Sequence, residues 1–184
     1  IVANLKEEFE TNLKSLDRQV ERLARKMESC EQLSSCLHPS KEIPDSVAVE
    51  ELITSLFDVP TWNPSTFVLT DLRNTGELKN LQNDSLKHLL HQWEQHYENL
   101  KEWYMLQIDV LDTSFDYFRE NGVLREVIFG NTLGPTAFDT KNRELIRRVD
   151  FENLLMQHML IAGALLDMYH SETKKLIKLI IEES

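Results

Sequence analysis

Six histidines and two cysteines are the residues of this 184-residue chain best suited to hold a metal or carry nucleophilic chemistry. Three of the histidines, His88, His91 and His96, stand close together with Glu94 and Glu98 among them. Imidazoles three positions apart lie on neighbouring turns of a helix, so His88 and His91 have the spacing to share an ion. His96 is about 140° further around the helix from His91, which keeps it out of the same site. The apolar stripe of that segment passes through Leu90, Trp93 and Tyr97 and turns the histidines toward solvent, so a hydrated polar face is the better reading. No H-E-x-x-H occurs, nor a pair of E-x-x-H motifs, and a di-iron bundle is not supported. His158 differs, because it lies inside the apolar stripe of the last helix. It reads as a satisfied core histidine ahead of a ligand contact or a pH-sensitive element. Cys30 and Cys36, if both helical, have Cα atoms about 9 Å apart pointing about 120° away from each other, too far for a disulfide. A helix ending near Ser34 would reopen that bridge.

The most site-like segment runs from Trp62 to Asn74. Trp62 beside Asn63-Pro64, followed by Asp71, Arg73 and Asn74, offers an aromatic face with polar groups near helix ends. Such a set fits a small ligand or a partner peptide. The competing structural reading has Trp62 plug the bundle end, Asn63 cap a helix and Asp71 and Arg73 lie on solvated turns. The loop around Gly122, Gly130 and Gly134 lacks the phosphate-cradling G-x-x-x-x-G-K-[ST] pattern, and no G-x-S-x-G elbow appears. No nucleophile, base and orienter assemble on paper, so the expectation is a non-enzymatic protein with neither metal nor cofactor.

These residues must be positioned by helices. Gly and Pro number 5 each, about 5% of the chain where roughly 12% is ordinary. So few chain-breakers argue against sandwiches, barrels and Rossmann sheets, while a hydrophobic content of 41% supplies a core. With 20 Lys and Arg against 31 Asp and Glu the net charge is −11, which repels nucleic acid. The longest uninterrupted apolar run, Met159 to Leu166, is far shorter than the ~20 residues of a membrane span.

Apolar residues at Val2, Leu5, Phe9, Leu13, Leu16, Val20, Leu23, Met27, Cys30, Leu33 and Leu37 step by threes and fours, predicting a helix over about 1–37, about 55 Å long and stopped by Pro39. Its remaining faces, Glu8 included, read as solvated. Pro44 with Asp45 or Ser46 as cap opens a short helix over about 46–58, and Asn63-Pro64 opens another over about 64–75, with Gly76 left-handed just beyond its end. A second long helix over about 85–120 carries Leu86, Leu90, Trp93, Tyr97, Leu100, Tyr104, Ile108, Leu111, Phe115 and Phe118, and Asn121-Gly122 stops it. Residues 123–138 read as a glycine-containing loop in which Val127-Ile128-Phe129 is the one strand-like run. A short helix over about 140–148 precedes the last long one over about 150–182, capped by Asp150. The fold class expected is all-α: a single domain, 1–184, built as an elongated antiparallel bundle of three long helices with a short two-helix insert.

Asn4-Leu5-Lys6-Glu7-Glu8-Phe9-Glu10-Thr11-Asn12-Leu13, Thr61-Trp62-Asn63-Pro64, Val68-Leu69-Thr70-Asp71-Leu72, Gly76-Glu77-Leu78, Asn83-Asp84-Ser85-Leu86 and Phe151-Glu152-Asn153-Leu154 follow one another in an order that resembles an uncharacterised family of small proteins from Bacteroidetes-type bacteria, a domain of unknown function. The resemblance covers nearly the whole chain. It implies a basic stretch and one apolar helix upstream of the segment matching Asn4, which by the positive-inside rule puts the rest at the periplasmic face of the inner membrane. A chain that starts at Ile1 rather than Met fits a processed or truncated protein from which that anchor is missing. The family carries no assigned activity, so no site transfers. Function is therefore expected to be a protein-interaction or scaffold module with a protein partner or a second copy, the alternative being a ligand-binding sensor bundle in which Trp62, Asp71, Arg73 or the 122–138 loop lines a pocket.

Overall fold

A computed structural model describes residues 2–38, 40, 47–134, 136–138 and 141–184. The chain is all-α: helical conformation takes 84% of it, and no strand occurs among the described residues. In chain order the elements are α1 (Val2–Cys36), α2 (Val49–Thr54) with a 3-10 turn (Ser55–Phe57), α3 (Phe67–Asn74), α4 (Glu77–Asn80), α5 (Asp84–Asn121), α6 (Leu124–Leu133), a 3-10 segment (Asn142–Arg147), α7 (Val149–Met168), one stretch of π-helix (Tyr169–Thr173) and α8 (Lys174–Glu183). The stop expected at Pro39, the start at Pro44 with its Asp45 or Ser46 cap, and the Gly134-Pro135 turn at its proline lie outside the described residues.

Two compact units emerge, one from Ile1–Arg22, Pro60–Trp103 and Ala164–Ser184, the other from Leu23–Val59 and Tyr104–Gly163. The first is organised by aromatic rings meeting edge to face: Phe9 on Trp93 at 5.3 Å, and Trp62 on Trp93 at 5.7 Å and on Tyr169 at 6.4 Å between centroids. That geometry sets the positive edge of one ring against the negative face of the next. Leu5, Leu16, Leu69, Leu72, Leu90, Ile177 and Ile180 are buried in the same unit. In the second unit Phe57 packs edge-on against Phe115 and Phe118, and Phe118 against Phe151, over Leu23, Leu33, Ile53 and Leu155.

Several expectations are revised. Residues 124–133 form α6 rather than a loop with a strand-like run. Val127 is buried, and its carbonyl accepts the Thr54 hydroxyl of α2 at 3.2 Å, so tertiary packing overrides the β preference of the Val-Ile-Phe run. The helix expected from Pro64 begins at Phe67. The buried line of α5 in the second unit is Gln107, Val110, Ser114 and Phe118, one position off the expected Ile108, Leu111 and Phe115. Gly76 does take the left-handed conformation, φ 77°, directly after α3 and its cap.

Candidate functional site

The residues singled out between Trp62 and Asn74 belong to the first unit, and α1 decides where they sit. Glu8 is 7% exposed rather than solvated. Its carboxylate accepts the Ser65 hydroxyl at 2.6 Å, the Val68 N–H at 3.0 Å and the Leu69 N–H at 3.4 Å. The free N–H groups at the start of α3 are thus capped from another helix and not by Asn63. One turn along, Asn12 grips Ser65 from both sides: Nδ2 donates to its carbonyl and Oδ1 accepts its N–H, each at 2.8 Å. Ser15 accepts the Trp62 indole N–H at 2.8 Å. Trp62 is 2% exposed and walled by Trp93 and Tyr169, so its ring has no face free for a ligand.

Asn63, Asp71, Arg73 and Asn74 are exposed. Asn63 Oδ1 accepts the Tyr97 hydroxyl at 3.1 Å. Asp71 and Asn74 line a shallow recess with Phe67 and Thr70. Arg73 instead lines an open groove of about 400 Å³ with Trp93, Glu94, Tyr97 and Lys101. The structure therefore does not bring the five together. In the groove Arg73 is paired with Glu94, and Lys101 donates to Glu98 at 2.7 Å while standing 4.7 Å over the Tyr97 ring. Burial raises the Tyr97 hydroxyl above its ordinary pKa.

Among the histidines, His88 and His91 face solvent, whereas His96 is buried, contrary to expectation. It lies three residues after Trp93 and four before Leu100, on the buried stripe itself. His96 Nε2 meets the Thr173 hydroxyl at 2.7 Å, and that hydroxyl donates to the Met168 carbonyl at 3.0 Å, inside the π-helical stretch. Its pKa is lowered by burial, opposed by Glu172, whose carboxylate is 3.4 Å from Nδ1. His158 is the same device in the second unit. Its Nε2 lies 2.8 Å from Ser114 Oγ, which donates to the Val110 carbonyl at 2.8 Å. The one hydroxyl proton of Ser114 thus has two acceptors within reach, the Val110 carbonyl and, in one tautomer, His158 Nε2. Burial, with help from Lys26, pushes His158 down to about 3. Among the described residues no group of three His, Cys, Asp or Glu side chains is placed to hold a metal.

Lys26 is a buried cation that the sequence pattern hid. Its ammonium donates to the carbonyls of Leu56 at 3.0 Å and Asp58 at 2.6 Å, around the end of the 3-10 turn. Burial lowers it to about 8, and burial raises Cys30, one turn on, to about 11. Cys30 and Cys36 are both free thiols on an uninterrupted α1, so the bridge that an earlier helix end would have allowed is not formed.

One surface was missed altogether. Within α7, Val149 and Leu160 are each 70% exposed and Met156 40%. With Asn153 they fall within an arc of about 60°, which exposed Asp167 shares near the end of the helix. The opposite face holds the buried Phe151, Leu154, Leu155, His158 and Ala162. A helix apolar on both faces is ordinarily covered on both. The signal was in the sequence, since no Asp, Glu, Lys or Arg occurs from Asn153 to Leu166. No protein-family model, curated protein or solved structure matches this chain.

Proposed function

We propose that this chain is a non-enzymatic protein-interaction module, an antiparallel bundle of three long helices with a two-helix insert, whose working surface is the outward face of α7. The observation that carries this reading is the exposure of Val149, Met156 and Leu160 on a helix already buried along its other side. Apolar faces of this kind mark contact surfaces. On the resemblance of its motifs to the Bacteroidetes family, the module is held at the periplasmic face of the inner membrane by an anchor preceding Ile1. The test is a photo-crosslinking residue at Met156 in the native cell: an adduct with one protein, lost on Leu160→Glu, supports the reading, and absence of any adduct overturns it.

The ligand-binding alternative rests on the groove of Arg73, Tyr97 and Lys101, whose cations are already paired with Glu94 and Glu98. Chemical-shift changes confined to those residues in a small-anion screen would move the assignment there.

A further inference from the structure

We propose that the π-helical stretch between α7 and α8 is a two-register switch: protonation of His96 draws Glu172 inward, closes the π turn into ordinary α-helix and rotates α8 about its axis. A π turn holds one residue more than the α-helical path it replaces, so every position after it is set back by one, about 100°. The buried line shows the offset. Leu165 and Tyr169 lie on it, and a continuous α-helix would carry it on through Glu172, Leu176 and Glu183, with Leu179 and Ile180 at its edges. The line observed runs instead through Thr173, Ile177 and Ile180, while Glu172 is exposed, Leu176 half-buried and Leu179 36% exposed. Both registers cover α8 with apolar side chains: Ile177 and Ile180 in one, Leu176, Leu179 and Ile180 in the other. What separates them is the group offered to His96, a threonine hydroxyl or a carboxylate.

The contacts at the turn explain why a proton selects between them. In the observed register His96 Nε2 meets Thr173 Oγ1 at 2.7 Å, and that hydroxyl donates to the Met168 carbonyl five residues back. Glu172 is the charged group that acts on His96, its carboxylate 3.4 Å from Nδ1 and 64% exposed. A buried imidazolium is therefore matched here only by a carboxylate that water screens. Turned inward, the same carboxylate pairs with it out of water, where opposite charges attract more strongly. Two contacts hold the observed register from neighbouring elements. Asp17 of α1 takes Lys174 at 2.7 Å, and Asn83, at the start of α5, donates to Glu183 at 2.9 Å. Neither contains an imidazole, and His170, within the turn, is exposed. Through the range where imidazoles titrate, each unit of acid shifts the ratio of registers by up to about tenfold.

Methyl NMR of the labelled chain with a neutral soluble gadolinium chelate reads the register at about pH 7.5 and about pH 5. At the higher pH the agent relaxes the methyls of Leu176 more than those of Ile177. The expected result is that acid reverses this order, with a midpoint that coincides with titration of the His96 ring. Leu165 stays protected throughout, which separates rotation of α8 from unfolding. Glu172→Gln and His96→Gln keep the neutral order at both pH values, and His170→Gln leaves the reversal unchanged. Glu172 is exposed, so its variant keeps the test decidable if His96→Gln fails to fold. An order that stays the same in the parent chain, or a reversal that persists in Glu172→Gln, overturns the switch. The readout involves neither a partner nor the outward face of α7, so either outcome leaves the interaction reading to its own test.

Discussion

The Glu8 carboxylate of α1 accepts the Val68 N–H of α3 at 3.0 Å, joining residues 60 positions apart in sequence. α3 is eight residues long and would not persist alone. Its start is held by this carboxylate and by the grip of Asn12 on Ser65, so α1 fixes the segment that carries Trp62. Removing the acceptor leaves the buried Leu69 N–H and the part-buried Val68 N–H unpaired and frees the hydroxyl of the exposed Ser65. We expect Glu8→Ala to lower stability by about 2–3 kcal/mol, and Glu8→Gln by about half that. Urea unfolding measures the loss. Amide exchange at Val68 and Leu69 localises it, and unchanged protection there in Glu8→Ala would sink the capping account.

The two thiols should behave differently in the native protein. Cys30 is fully buried and pushed up to about 11, so at neutral pH it is neither accessible nor ionised. Cys36, half-buried at the end of α1, remains reachable. An aromatic disulfide reagent should titrate one thiol per chain rapidly and the second only after denaturant is added. Loss of the rapid thiol in Cys36→Ser, and not in Cys30→Ser, checks the assignment.

The helices with unbroken apolar steps were legible because burial and hydropathy coincide there: Leu5, Phe9, Leu16, Leu23 and Leu33 are all buried. Legibility failed where polar side chains share the buried face. Glu8, Asn12 and Lys26 lie on the inner side of α1, and Gln107 and Ser114 on that of α5. Each would read as solvent-facing by type. The partners that explain four of them are remote: Val68 and Ser65 for Glu8, Ser65 for Asn12, Leu56 and Asp58 for Lys26, His158 for Ser114. The buried Gln107 Oε1 has no hydrogen-bond partner among the described residues. Trp62 could be picked out by type, but whether its indole faces a ligand or the core depends on Ser15, Trp93 and Tyr169. The π-helical stretch left no mark in the stripe of the last helix, because it is fixed by Thr173 turning its hydroxyl to the Met168 carbonyl.

Acid should weaken the protein through His158. Its folded pKa of about 3 stands against an ordinary 6.5, so between those values the unfolded chain takes up a proton that the native chain refuses. The contribution is intact above pH 6.5 and is lost as the pH falls toward 3, at up to about 1.4 kcal/mol per unit. His96, also lowered by burial, acts in the same direction. We expect the stability difference between about pH 7 and about pH 4.5 to shrink by about 2–3 kcal/mol in His158→Gln, which keeps an amide donor for Ser114 and does not titrate. Urea midpoints of variant and parent at both pH values decide it. An unchanged difference would mean that His158 is protonated in the native state.

Two glycines at the ends of one short stretch should respond oppositely to the same substitution. A Cβ on Gly122 would stand 2.6 Å from Asn142 Oδ1 and 3.0 Å from the Phe118 ring. That oxygen accepts the Val123 N–H at 2.7 Å while Asn142 Nδ2 donates to the Val123 carbonyl at 3.1 Å, a two-point clamp closing the turn after α5. The phenyl ring cannot retreat, since Phe118 is fully buried, so the clamp opens. Gly122→Ala should therefore cost about 2–3 kcal/mol. Gly130 lies within α6, and an added Cβ there meets nothing within 4 Å. Gly130→Ala should stabilise the protein by about 0.5–1 kcal/mol, by restricting the unfolded chain and favouring the helix. Thermal unfolding of the pair tests steric and conformational effects against each other. If both lowered the midpoint equally, helix propensity and close approach would be the wrong distinction, and α6 would not be a helix at Gly130.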